Sequence, residues 1–205
     1  MAAVALATAA MFAFAIPANA STPPIVTDPT SKTTTYEAEE CLAAVAVARS
    51  QGAEVAGIDC TITTVSTTTE AEVVTADQLR AETGLSAADK SSLLDAAARA
   101  TIYSKHFSWF TTGGAYTVTH DGTFYYDGTR AWVTVPYSGY TGFHNCFTNY
   151  AAGLSIANEA CTDTGGTSSR TLYFQWRVTW IVPPYTGLSY SVSNTGYVYA
   201  DGTTS

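Results

Sequence analysis

The sequence predicts a mainly β protein, an antiparallel β-sandwich of roughly seven to nine strands behind an α-helical N-terminal segment. Three observations predict it. Of 25 aromatic residues, 22 lie after Thr101, including all four tryptophans, which concentrates the core-forming side chains in the C-terminal half. Turn signals punctuate that half, among them Gly113-Gly114, Asp127-Gly128, Gly165-Gly166, Pro183-Pro184 and Asp201-Gly202. From Thr171 to Val182 every second residue is apolar without exception. Leu172, Phe174, Trp176, Val178, Trp180 and Val182 share one face; Thr171, Tyr173, Gln175, Arg177 and Thr179 share the other.

The chain opens with an apolar run, Ala2–Ile16, broken at Pro17 and followed by Ala18-Asn19-Ala20. That order of apolar run, helix breaker and small-x-small site predicts a secretory signal at residues 1–20, and the run is shorter than the ~20 residues that span a bilayer. No Lys or Arg precedes the run, so either the start lies upstream or the terminal amine serves as the n-region charge. Residues 21–35, rich in Thr, Ser and Pro, read as a disordered spacer. Residues 36–101 read as an acidic helical segment with one short strand, and 102–205 as the sandwich. The net charge of −8 is concentrated before Thr101 and argues against a nucleic-acid partner. No membrane association is expected once the signal is removed.

Within the acidic segment, Leu42, Val45, Ala46 and Arg49 follow helical spacing, with Glu37, Glu39 and Glu40 near the positive helix end. Gly52 ends this helix, and Ile58–Thr64 alternates as a strand. Residues 66–72 read as a linker. Two capping signatures follow, Thr75 with Gln78 and Ser86 with Asp89, each opening a short helix, and Gly84 stands between them as the stop. The second helix is expected over 87–101, with Leu93, Leu94, Ala97 and Ala98 on one face.

In the β region Tyr116, Val118 and His120 share a face, as do Leu188, Tyr190 and Val192. His120-Asp121-Gly122-Thr123 and Tyr126-Asp127-Gly128-Thr129 each read as a turn between strands. The recurring Asp-Gly-Thr lacks the alternating oxygens and closing Glu of an EF-hand, so it reads as turn chemistry.

Four cysteines in an exported chain predict two disulfides, with three pairings open. Cys41–Cys60 and Cys146–Cys161 are preferred because each pair falls in one compositional region. Each closes a loop of ~15–20 residues, worth about 3 kcal/mol in the chain-entropy model. A metal site is not expected, since no C-x₂₋₄-C spacing occurs. No cofactor motif and no catalytic signature appears either, neither H-E-x-x-H nor G-x-S-x-G.

The expected function is therefore that of a non-catalytic, secreted binding or surface-associated module. Its candidate contact residues are Tyr137, Tyr140 and Phe143, in a Gly-rich stretch, together with Tyr173 and Arg177 on the polar face of the best strand. Cell-wall polysaccharide or another extracellular protein is the expected partner. Two alternatives stand beside this reading. One is a hydrolase using His106, His120 or His144 with a carboxylate; the other is a protease inhibitor presenting the Cys146–Cys161 segment as a loop. Ser104-Lys105-His106-Phe107, Gly113–Thr119 and Gly122–Val133 together resemble small secreted actinobacterial proteins without an assigned activity. The resemblance implies export and a shared fold, and it brings no catalytic residues.

Overall fold

The computed structural model describes residues 24–134 and 145–205. The predicted signal, Tyr137, Tyr140, Phe143 and His144 lie outside the described residues. The elements run β1 (Thr30–Glu37), α1 (Glu39–Ser50), β2 (Thr61–Thr68), β3 (Glu72–Val74), α2 (Ala76–Ala81) and α3 (Ala87–Ala97). They continue as β4 (Ile102–Thr112), β5 (Tyr116–Tyr126), β6 (Ala131–Val133), β7 (Asn145–Ala151), β8 (Leu154–Gly165), β9 (Ser169–Trp180) and β10 (Ser189–Tyr199). Two antiparallel sheets result. The larger is ordered β1-β2-β4-β5-β6, with β3 also on β4 and β7 also on β5; the smaller is β10-β9-β8. The predicted β-sandwich is present. Seven strands follow Thr101 and three precede it, so the large sheet runs across the compositional boundary.

Period-2 alternation builds the core. Leu172, Phe174, Trp176 and Val178 of β9 are buried and face Phe107, Trp109, Tyr116, Val118, Phe124 and Tyr126 of the large sheet. Trp180 is only half-buried, and Val182, beyond the strand, is exposed. On the outer side of the large sheet, Leu79, Leu85, Leu93 and Ala96 of the α2–α3 region cover Ile102, Tyr125 and Trp132. Both capping signatures are realised: Thr75 and Gln78 bond reciprocally, and Ser86 accepts the Asp89 amide at 3.0 Å. Gly84 is not the cap of α2, whose C-cap is Glu82; its amide is taken by the Glu82 carboxylate at 2.7 Å.

Gly52, at φ +85°, closes α1. Its amide bonds Arg49 O and the following amide, Ala53, bonds Ala48 O, the paired contacts of a Schellman ending. The face of α1 differs from the expected one: Cys41 and Val45 are buried, whereas Leu42 is 44% exposed. The Cys41–Cys60 disulfide explains the rotation, because it ties the helix down through its Cys41 side.

Several expected boundaries are corrected. Residues 30–35 belong to β1 rather than to a disordered spacer. β-Branched threonines suit a strand, and β2 supplies a complete ladder from Thr30↔Thr68 to Glu37↔Thr61. The preceding residues are pinned by Tyr126 Oη donating to Val26 O and by the buried Lys105 Nζ donating to Asp28 O at 2.6 Å. The expected linker at 66–72 holds the end of β2 and the start of β3. Asp121-Gly122 is not a turn. β5 runs straight through it, with Gly122 opposite Phe107, and its even-numbered residues keep one facing throughout. The Cys146–Cys161 segment is not a loop either. It forms β7 and β8, which belong to different sheets, so its disulfide joins the two layers.

Candidate functional site

The outer face of the three-stranded sheet gathers the described contact residues. Burial of the even-numbered residues of β9 turns Tyr173, Gln175 and Arg177 outward. β10 lies beside them with Thr195 opposite Tyr173 and Tyr197 opposite Thr171, which makes Tyr173 and Tyr197 diagonal cross-strand neighbours. Tyr197 is 38% exposed, and its ring stacks on Tyr199 with centroids 6.3 Å apart.

On β8 the register shifts between Asn158 and Ala160, and this bulge aims Glu159 outward as well. Its carboxylate accepts from Arg177 Nε at 2.6 Å, Ser191 Oγ at 2.8 Å and Gln175 Nε2 at 3.1 Å, and Tyr173 Oη donates to Gln175 Oε1 at 2.8 Å. The Arg177 bond first, then that of Ser191, holds the Glu159 carboxyl below its ordinary range. Three hydrogen-bond donors on one carboxylate fix the orientation of the polar groups while the tyrosine rings stay available to solvent. Such a face can stack against sugar rings or insert at a protein surface.

Tyr173 and Arg177 are thus brought together, as neighbours of one network. Tyr197, Tyr199 and Glu159 were missed. The two tyrosines were within reach: extending the period-2 phase of Tyr190 and Val192 along the strand places both on the opposite face. Glu159 was not, because the bulge that turns it carries no local signature.

The two described histidines, His106 and His120, do not cluster. His106 stands on the outer face of the large sheet with Nε2 at 3.9 Å from Asp121 Oδ2. Burial raises the Asp121 carboxyl, and His106 partly opposes that shift. His120 points inward, buried, with the rings of Phe107, Trp109 and Phe174 around it. One of its ring nitrogens and the sulfurs of Cys146 and Cys161 lie within 4.8 Å of one another, but the two sulfurs are bonded to each other, so they are not thiolate ligands. Asp127 and Asp201 spend Oδ1 on the amide and hydroxyl of Thr129 and Thr203, as turn residues do.

Two concavities adjoin α1 and the sheet edges. An apolar groove of about 550 Å³ runs between Val47 and Val55 on one side and Tyr185 and Leu188 on the other. A cleft of about 350 Å³, lined mainly by threonine, serine and asparagine, opens between β1 and β10. Comparison with protein-family models, curated proteins and solved structures returns no match for the chain.

Proposed function

We propose that the chain is an exported, non-catalytic binding module that attaches to extracellular polysaccharide, cell wall foremost, through the outer face of its three-stranded sheet. The observation that carries this reading is the joint placement of Tyr173, Tyr197 and Arg177 on one face, with Arg177 held by Glu159. Flat faces with aromatic rings and fixed hydrogen-bonding groups suit repetitive sugar chains, because each ring stacks on a sugar while polar groups meet its hydroxyls. Two disulfides fit an extracellular chain, and no helix among the described residues is long and apolar enough to cross a membrane.

Retention on insoluble cell-wall polysaccharide tests the proposal. Wild-type protein is expected to be retained, and Tyr173→Ala with Tyr197→Ala to lose most of that retention while keeping its thermal midpoint. Tyr137→Ala with Tyr140→Ala forms the control for the Gly-rich stretch. No retention of the wild type, or full retention of the Tyr173/Tyr197 variant, overturns the assignment.

A further inference from the structure

The two long sides of the sandwich are closed differently. On one, β7 and β8 are bolted together by the Cys146–Cys161 disulfide and by Asn158 Nδ2 donating to Cys146 O at 3.0 Å. On the other, β1 and β10 are unpaired with each other, and the cleft of about 350 Å³ lies between them, within the ~300–1,000 Å³ of small-molecule sites.

Sequence pattern changes over this cleft on both sheets. Inward positions of β10 read Tyr190, Val192, Asn194, Gly196 and Val198, so the apolar series is interrupted at Asn194 and Gly196, which line the cleft together with Thr195. On the opposite sheet the cleft is lined by Thr30, Lys32 and Thr34 of the exposed edge strand β1, and by the buried Thr64 and half-buried Ser66 of β2. A wall of hydroxyls and an amide is a poor core and a good surface for a ligand that brings hydrogen bonds of its own.

The floor is Trp109. Its indole is held against the backbone of Gly196, where a Cβ would fall 2.3 Å from Cη2 and Cζ2, so only glycine leaves the ring in this place. At one end Tyr36 Oη donates to Ser193 O at 3.3 Å, a contact that ties the two sheets together beside the opening. The hydroxyls of Thr30 and Thr64 are paired with Thr68 and Thr111, each at 2.9 Å. A hydroxyl offers one donor and two acceptor positions, so each retains capacity for a ligand.

We infer that this cleft is a second binding site, separate from the outer face, and that it takes a neutral sugar unit, a single pyranose or the end of an oligosaccharide. Chemistry selects the class. Hydroxyl and amide groups line the opening beside the exposed ring of Tyr36, with the buried Trp109 beneath, and a polyhydroxylated ring with an apolar face matches both kinds of surface. No Asp or Glu lines the cleft and Lys32 is its one charged side chain, while the chain's net charge of −8 disfavours polyanions. An apolar ligand would strip water from the hydroxyls without replacing their hydrogen bonds.

Titration of the ¹⁵N-labelled protein with cellobiose, maltose and N,N′-diacetylchitobiose at millimolar concentration tests the site. At least one is expected to shift the Trp109 indole N–H and the Asn194 and Gly196 amides saturably. Asn194→Ala should weaken that binding about tenfold, the scale of a lost hydrogen bond. Thr34→Ile with Ser66→Val, which fills the cleft with branched apolar side chains, should abolish it. Tyr173→Ala with Tyr197→Ala should leave it unchanged, so failure of the outer-face reading and failure of this one give different results. Absence of shifts with all three sugars overturns the inference, as do shifts mapping to the outer face or binding unchanged in both cleft variants.

Discussion

At the scale of single residues, Thr75 governs more than the helix it begins. Its hydroxyl accepts the Gln78 amide at 3.3 Å and donates to Gln78 Oε1, which also receives the Thr75 amide at 2.8 Å. The short helix it starts positions Leu79, fully buried, and Glu82, whose carboxylate accepts from Tyr125 Oη at 2.9 Å. Burial alone would raise the Glu82 carboxyl; the Gly84 amide, the Tyr125 hydroxyl, the Thr83 amide and the Lys90 charge together outweigh it and hold it below its ordinary range. Thr75→Ala should therefore cost about 0.5–2 kcal/mol, read as a lower urea midpoint with an unchanged slope. Thr75→Ser should restore most of it. A midpoint equal to wild type would show that tertiary contacts hold α2 without its cap. This cap was legible because its partners are three residues apart, and the disulfide pairing because compositional region and spacing agreed. Glu159 was illegible: which face it takes depends on a bulge set by register across three strands.

At the scale of elements, the informative cases are β5 and β9. Both carry a period-2 pattern, yet only β9 was read at nearly full length. Asp121-Gly122 has the chemistry of a hairpin turn, and a local reading stops there. The tertiary sheet overrides it, because β4 runs alongside as an eleven-residue partner and Gly122 meets Phe107 across the ladder. The same override explains β1, whose threonines read as a linker until β2 pairs with it without a break from Thr30 to Glu37. Strand β9 needed no such help, and its central ring sets the scale of its contribution. Trp176 is fully buried, packing against Phe174 at 4.8 Å and edge-on to Tyr116 at 6.4 Å. Trp176→Ala should cost about 3–5 kcal/mol, a loss of transfer energy plus an unfilled cavity. Chemical unfolding measures it, and a loss below 1.5 kcal/mol, about that of a volume-conserving swap, would mean that the two sheets close over the gap.

At the scale of the whole molecule, phenols link the layers to pH. Tyr126 is fully buried between the sheets and Tyr190 nearly so, and burial first of all pushes both hydroxyls up to about 12; Tyr116 and Tyr125 move further in the same direction. In the unfolded chain these groups titrate near ~10. Because the folded chain holds the protons more tightly, unfolding releases them at alkaline pH. The contribution is complete below pH ~10 and is lost as pH rises from there through the folded values. A rise of two units corresponds to about 3 kcal/mol for each phenol. For Tyr126 and Tyr190 together this is about 6 kcal/mol, comparable with the lower end of the ~5–15 kcal/mol that holds an ordinary domain together. The fold should thus give way within one narrow alkaline interval while both disulfides remain closed. Absorbance at 295 nm should show the exposed tyrosines titrating first, followed by a steep second step coincident with loss of the near-ultraviolet circular dichroism. Replacing Tyr126 with Phe keeps the ring, removes the Val26 bond and should move that second step to higher pH. A single smooth titration centred near ~10 with the dichroism intact would show that the inter-sheet phenols are open to solvent. That outcome would contradict the closed core on which both proposed binding surfaces depend for their rigidity.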